Sequence, residues 1–375
     1  MRITTLLIKS ASGMCNMQCD YCFYRDETTK REVACYGQMT EETLKNIIKK
    51  ALFQVKDNIC FAFQGGEPTI RGIEFYKKVI EFEERFNKHH VRISNTLQTN
   101  GTLIDETWSA FFRDYNFLLG VSVDGVKSVH DRYRHDENGG STYEKVRKGI
   151  RLLEKYKVDY NILTVVTRQA AERICEIYRE YKINGWNFQQ YIVCLDPAGE
   201  TPGKTEYSLT PELFGRFWIN LFELWYKDWK RGKAPCIRQF ENYIGILLGY
   251  PPESCDQRGT CSIQCVVEAD GSVYPCDFYA LDKYKLGSFD ENSVTDLTEN
   301  KIGKDFVEDS RKLSGECMKC CWYPICRSGC RRQRIQIGEG DEYINYFCNG
   351  YKMFFEKCFD RLNEIARYIK DIRNI

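Results

Sequence analysis

Cys15, Cys19 and Cys22 stand in the spacing C-x3-C-x2-C, within Cys15-Asn16-Met17-Gln18-Cys19-Asp20-Tyr21-Cys22-Phe23-Tyr24. Three thiolates on one short loop can hold three irons of a four-iron cluster. The fourth iron is then left open to a small-molecule ligand. Closed clusters of this kind use four cysteines, and an open coordination position generally marks a reactive metal rather than a structural one. The other reading is a zinc site. Zinc sites usually pair two C-x2–4-C units to reach four ligands, and no fourth Cys or His lies close by in the sequence.

A second set of cysteines follows far downstream. Cys255-x5-Cys261-x14-Cys276 precedes Cys317-x2-Cys320-x5-Cys326-x3-Cys330, and Cys348 comes last. Eight thiolates suit two fully ligated four-iron clusters or two structural zincs, and spacing alone does not divide them between two centres. The eight other cysteines are 35, 60, 175, 194, 236, 265, 321 and 358, and most are expected to be buried apolar fillers. His89, His90, His130 and His135 show no ligand spacing and are expected at the surface or as caps.

The elements that must position these groups fit a chain of 375 residues, long enough for one large domain and a smaller one. Net charge is +1, with Lys and Arg interleaved with Asp and Glu. Nucleic-acid binding needs a basic footprint, so no nucleic-acid partner is expected. No apolar run reaches the length of a membrane span, and the apolar run within Met1–Lys9 is too short for a secretory signal. A cytoplasmic location is expected. Thiols stay reduced in that compartment, so the nineteen cysteines point to metal or redox chemistry.

Apolar runs predict strands at Thr4–Ile8, Cys60–Gln64, Arg92–Gln98, Phe117–Val123, Tyr160–Val166 and Asn187–Val193. Amphipathic stretches between them predict helices near 41–54, 73–88, 105–114, 142–156 and 168–182, with Thr40 and Asp105 as caps. Alternation of this kind implies an α/β fold with a parallel sheet and crossover helices. Periodicity does not distinguish an open sheet from a partial barrel. The cysteine loop, Gly65-Gly66-Glu67-Pro68, Thr99-Asn100-Gly101 and Asp124-Gly125 follow the first four strands in turn. They therefore recur at one end of the sheet, where catalytic loops gather. Further helices are expected at 211–229, 238–249 and 351–372. We place the first domain at 1–235, with its core at 1–195, and the second at 236–375.

The cysteine loop together with Gly65-Gly66-Glu67-Pro68 resembles the signature of the radical S-adenosylmethionine (radical SAM) enzymes. The resemblance implies a partial (β/α)6 barrel. It also implies a 4Fe-4S cluster on Cys15, Cys19 and Cys22 that binds and reductively cleaves SAM. Tyr21, Gly66, Ser122, Arg134 and Leu195 would contact the SAM. The C-terminal cysteines with Gly271-Ser272-Val273-Tyr274-Pro275-Cys276 resemble the SPASM extension, a cysteine-rich module with two auxiliary clusters. Carried over from that family, Cys255, Cys261, Cys276 and Cys330 would hold one cluster. Cys317, Cys320, Cys326 and Cys348 would hold the other.

Longer segments are similar to the anaerobic sulfatase-maturating enzymes. Among them are Leu97-Gln98-Thr99-Asn100-Gly101-Thr102-Leu103-Ile104-Asp105 and Pro275-Cys276-Asp277-Phe278-Tyr279. Those enzymes oxidise a Cys or Ser of a sulfatase peptide to Cα-formylglycine. The resemblance makes Asp277 the general base. It implies a sulfatase as partner, a low-potential electron donor such as ferredoxin or flavodoxin, and a monomer. The alternative within the same superfamily is a maturase that forms a thioether or carbon–carbon crosslink in a ribosomally made peptide. Three 4Fe-4S clusters require about twelve irons per chain. Anaerobic reconstitution followed by iron and labile-sulfide analysis should find both in equal amounts. Stoichiometric zinc without sulfide would contradict this.

Overall fold

Runs of β-branched and aromatic residues bounded by Gly and polar turns form the strands. They are β1 Thr5–Ile8, β2 Asn58–Phe63, β3 Arg92–Thr99, β4 Leu118–Ser122, β5 Tyr160–Val166, β6 Phe188–Val193, β7 Cys236–Ile237, β8 Val266–Val267, β9 Ser272–Tyr274, β10 Gly287–Ser288, β11 Arg334–Ile337 and β12 Glu342–Asn345. The computed structural model describes residues 5–373, so the expected strand residue Thr4 lies outside the described residues.

The chain divides into two units, each assembled from separate stretches. The first takes Met1–Val123, His130–Asn161 and Ser262–Phe306, and the second takes Asp124–Val129, Ile162–Cys261 and Val307–Ile375. In the first unit β1 to β4 run parallel in sequence order, with Leu6 opposite Phe61 and Phe61 opposite Asn95. Ile59, Phe61 and Phe63 line one face of β2 and are all buried, and Cys60 and Ala62 on the other face are half-buried. Helices Glu41–Gln54 and Glu106–Asp114 start where Thr40 and Asp105 accept hydrogen bonds from the amides of Thr43 and Trp108.

Six strands escaped the sequence reading, β7 to β12, and three of them belong to the first unit. Parallel β8 joins the free side of β1, with Leu7 opposite Val266, and antiparallel β9 and β10 follow. At two or three residues each they are too short to show a period. They bring the segment around Cys276 into the same unit as the N-terminal cysteine loop.

In the second unit β5, β6 and β7 pair in parallel. Helix Pro211–Trp229 packs along helix Cys348–Arg373 through aromatic contacts. Phe214 meets Tyr351 edge-on at 4.8 Å, and Trp229 meets Tyr368 edge-on at 5.4 Å. The last helix begins at Cys348 rather than 351. The helix expected over 168–182 is two, Arg168–Glu172 and Ile174–Ile183, broken at Arg173, where φ is −110° and ψ 21°.

Two expectations about side chains are corrected. His130 is fully buried, with Nε2 3.1 Å from Thr142 Oγ1. Helix Lys127–Tyr133 turns it inward, which isolated spacing could not reveal. Of the eight unassigned cysteines only Cys194, Cys265 and Cys358 are buried. Cys35, Cys175, Cys236 and Cys321 are exposed on loops, a helix surface and a two-residue strand.

Glu83 of helix Ile73–Phe86 is buried and accepts a hydrogen bond from Asn95 Nδ2 at 3.1 Å. Burial lifts its carboxyl from the ordinary 4.5 to about 7. Between those values the folded chain keeps a proton that the unfolded chain has released, so this residue makes stability fall as pH rises. Glu83→Gln should therefore raise the melting temperature by a few degrees at about pH 8 and change it little at about pH 5. Thermal scans at the two pH values check this, and an equal effect at both would remove ionisation as the cause.

Candidate functional site

The cysteine loop follows β1 and is anchored from three directions. Gln18 and Asp20 donate their amides to the carbonyls of His135 and Tyr133, at 2.8 and 3.0 Å. Asn16 bonds Asn100 and Thr102, at 2.8 and 2.9 Å, and Asn100 Nδ2 also lies 4.0 Å from Cys15 Sγ. The Glu67 amide donates to Met14 O at 2.8 Å.

Glu67 is only 1% exposed. Its carboxylate accepts from Thr69 N and Oγ1 at 3.1 and 2.6 Å, Thr99 Oγ1 at 2.8 Å and Asn100 N at 2.6 Å. Burial raises its pKa, and these hydrogen bonds pull the other way. The acid of the Gly65-Gly66-Glu67-Pro68 turn thus ties the ends of β2 and β3 to the cysteine loop. Gly66 makes that approach possible. Its φ is +55°, and a Cβ there would lie 2.1 Å from Met14 O. Glycine is the residue that tolerates both conditions.

Tyr21 and Arg134, assigned to SAM by resemblance, are brought together. Arg134 Nη1 donates to Tyr21 OH at 2.9 Å, and both side chains are buried. Ser122 closes β4, half-buried. Leu195 follows β6 by two residues and belongs to the second unit.

Asp277 lies in the first unit and is buried, not a surface or capping carboxylate. Its Oδ1 takes a hydrogen bond from Lys9 Nζ at 2.5 Å, and its Oδ2 accepts from Gln64 Nε2. Lys9 is fully buried, with its ammonium 3.7 Å from the Tyr24 ring centroid. Tyr24 OH donates to Glu268, which pairs with Arg31 at 2.7 Å, both side chains wholly shielded. Burial and the Glu268 charge hold the Tyr24 phenol well above its usual range. Phe278 closes on Phe23 at 4.7 Å.

Sequence reasoning missed Lys9, Gln64, Tyr24, Arg31 and Glu268 as parts of this network. The available signal was polarity at strand ends. Lys9 ends Leu6-Leu7-Ile8, Gln64 ends Phe61-Ala62-Phe63, and Glu268 follows Val266-Val267.

In the second unit Cys317, Cys320, Cys326 and Cys348 line one pocket, with Tyr323, Asn345 and Lys352. Burial pushes the Cys326 thiol up to about 12, and the charges of Cys348, Cys317 and Cys320 add to the effect. Cys330 is likewise pushed up to about 12 by burial, Cys255 and Cys261. Grouped thiols that oppose one another's ionisation need a cation to become thiolates, and bound metal provides it. Among the described residues no three His, Cys, Asp or Glu side chains converge on a single ion. A four-iron cluster spreads its thiolates, because each binds a different iron, so the donor set fits such a cluster. Cys276 is half-buried in the first unit, immediately before Asp277.

Comparison with known proteins agrees with this geometry. The Radical SAM superfamily model matches residues 10–181, and the SPASM iron–sulfur cluster-binding domain model matches 255–321. Together they define a radical SAM enzyme with a C-terminal cluster-binding domain. The cysteine-type anaerobic sulfatase-maturating enzyme of Clostridium perfringens strain 13 is 44% identical over 98% of this chain and 99% of its own. The serine-type enzyme of Bacteroides thetaiotaomicron is 28% identical over 94% of this chain and 88% of its own. The solved structure "Native anSMEcpe with bound AdoMet and Cp18Cys peptide" matches with a TM-score of 0.93 and 43% identity, over 98% of this chain and 99% of that one. This chain belongs to the anaerobic sulfatase-maturating enzymes. Its cofactors are those of the class, three 4Fe-4S clusters and SAM. Among the described residues no helix is long and apolar enough to cross a membrane.

Gly66→Ala should abolish 5'-deoxyadenosine formation and remove roughly a third of the iron, the share of one cluster in three. The 2.1 Å clash falls on the cysteine loop, so the auxiliary clusters should remain. Wild-type iron content and SAM cleavage in this variant would show that the loop can yield.

Proposed function

We propose that the enzyme oxidises a cysteine side chain in a sulfatase peptide to Cα-formylglycine under anaerobic conditions, with Asp277 as general base. The observation that carries this reading is the buried carboxylate of Asp277, held by Lys9 and Gln64 directly after Cys276. Cysteine rather than serine as the target is supported by the higher identity to the cysteine-type relative, 44% against 28%.

When bound, SAM and the clusters supply hydrogen-atom abstraction at the target Cβ and a sink for the second electron. The chain's own work is to orient and deprotonate. Asp277 offers the lone pairs not used by Lys9 and Gln64 to the target thiol proton. Loss of Cβ hydrogen, thiol proton and one further electron leaves a thioaldehyde, which water converts to the aldehyde with release of hydrogen sulfide. Arg134, fixed by Tyr21, suits the SAM carboxylate through its planar fork. The Gly66 carbonyl suits the amino group, and the Ser122 hydroxyl the ribose. Leu195 is assigned to adenine on the family resemblance, as are Cys255, Cys261, Cys276 and Cys330 to one auxiliary cluster. Cys317, Cys320, Cys326 and Cys348 are assigned to the other, with support from their shared cavity.

A domain boundary between 235 and 236 falls in the gap between family matches ending at 181 and starting at 255, whereas the compact stretch Ile162–Cys261 runs through it. A ferredoxin or flavodoxin as electron donor, a monomeric state and a cytoplasmic site complete the reading.

Asp277→Asn should keep all the iron and still cleave SAM. Formylglycine formation in a sulfatase-motif cysteine peptide should fall by roughly 10²–10⁴-fold, the range for a positioned base. Mass spectrometry of the peptide beside quantified 5'-deoxyadenosine separates the two steps. Near-normal peptide oxidation would exclude Asp277 as the base, and a crosslinked peptide of unchanged sulfur content would exclude formylglycine formation.

A further inference from the structure

Arg334 opens β11 in the second unit, and its guanidinium is spent on main-chain carbonyls. Nε donates to Ser328 O at 3.1 Å and Nη1 to Ser310 O at 2.5 Å. Nη2 donates to Gly329 O at 2.9 Å and Gly259 O at 3.3 Å. Ser328 and Gly329 lie between Cys326 and Cys330, and Gly259 stands two residues before Cys261. Ser310 accepts the amide of Cys261 on its own hydroxyl at 2.9 Å. One cation therefore touches the backbone of loops that present cysteines from both auxiliary sets.

Its charge has no acidic partner. Among the described residues no carboxylate forms an ion pair with Arg334. Burial disfavours the charge and lowers its pKa, and the sulfurs of Cys261, Cys330 and Cys317, once ionised, favour it. Arginine stays protonated in proteins, so this charge is permanent. A cluster ligated by thiolates is anionic and gains one more negative charge on reduction. Net charge and hydrogen bonding are among the terms that set cluster potentials.

We propose that Arg334 is the charge that raises the reduction potentials of the two auxiliary clusters. The cluster held by Cys261 and Cys330 feels it more, because Nη2 bonds the carbonyls of Gly329, next to Cys330, and Gly259, two residues before Cys261. Arg334 is a positioning residue in this sense. It touches no substrate, and it makes both clusters better acceptors of an electron. The inference rests on the ligand sets assigned under the proposed function, and it does not depend on which peptide is oxidised.

The test is a redox titration followed by electron paramagnetic resonance on the full, anaerobically reconstituted chain. It is repeated in the full chain carrying Cys15→Ala, Cys19→Ala and Cys22→Ala, so that only auxiliary clusters report. Arg334→Gln should lower both auxiliary potentials. The shift for the Cys261/Cys330 cluster should reach at least about 59 mV, a tenfold change in a one-electron equilibrium. Arg334→Lys, which keeps the charge and loses the fork, should stay near wild type, and the N-terminal cluster should not move in either variant. Arg334→Gln with less iron but unshifted potentials in what remains would overturn the proposal, because that is the mark of a loop staple. If Arg334→Gln binds no auxiliary clusters, Arg334→Lys decides. Clusters at wild-type potential in it support the charge, and their absence overturns it. A wild-type chain with no auxiliary clusters at all would instead refute the ligand assignment.

Discussion

A carboxylate buried without partners would cost several kcal/mol, and Glu67 is buried with four donors around it. That constraint sets the geometry of the N-terminal site. The donors come from the turn after β2 and from the end of β3, so the two strand ends cannot shift independently. Losing one donor to a buried acceptor costs about 1–3 kcal/mol. The Glu67 amide meanwhile holds Met14 O, one residue before Cys15. The cysteine loop is positioned by a network whose centre is not itself a ligand. A three-cysteine loop has no fourth protein thiolate to fix it, so its rigidity must come from outside. Asn16, Asn100 and Glu67 provide it.

The same logic governs Asp277, with opposite sign. Lys9 is a buried cation that ends an apolar strand, and such a charge persists only when paired. One carboxylate oxygen goes to Lys9 and the other to Gln64. An ionised carboxylate offers about four lone-pair directions, so two remain. The pairing thus fixes where a proton can be received. A carboxylate free to rotate would lose that selectivity, which the role proposed for Asp277 requires, since a positioned base depends on the angle of approach.

Much of this was legible in the sequence because it is local. The cysteine spacing, the Gly65-Gly66-Glu67-Pro68 turn and the caps at Thr40 and Asp105 each span a few residues, and the structure places each as expected. The six longest parallel strands were legible for the same reason, each being a stretch of four residues or more with apolar residues at its core-facing positions. What stayed hidden is pairing across distance. Lys9 and Asp277 are 268 residues apart, and Arg31 and Glu268 are 237 apart. No period links such residues, and a lone Lys or Glu in sequence reads as surface. His130 was misjudged likewise, because its burial depends on Thr142 and Tyr143 from the next helix. Gln64 was visible only as the polar end of a strand.

The short strands β8 and β9 explain why these distant charges meet at all. Two residues of parallel pairing to β1 are a weak attachment by themselves, since short strands need packing to be stable. Here the attachment is reinforced on both sides of the join. Glu268, the residue after β8, takes Arg31 and Tyr24, and Asp277, three residues after β9, takes Lys9. Tyr24 connects the two pairs, with its hydroxyl on Glu268 and its ring under the Lys9 ammonium. The order along this line is Arg31, Glu268, Tyr24, Lys9, Asp277, so each charge faces an opposite charge or the negative face of an aromatic ring. Removing Lys9 would therefore leave Asp277 without its cation and the Tyr24 ring without the charge above it. The segment that carries Cys276 is held to the sheet by this line of side chains as much as by its backbone. Docking that segment and positioning the Asp277 carboxylate are thus one structural event, and the carboxylate is in place only when the segment that carries the cysteine before it is docked.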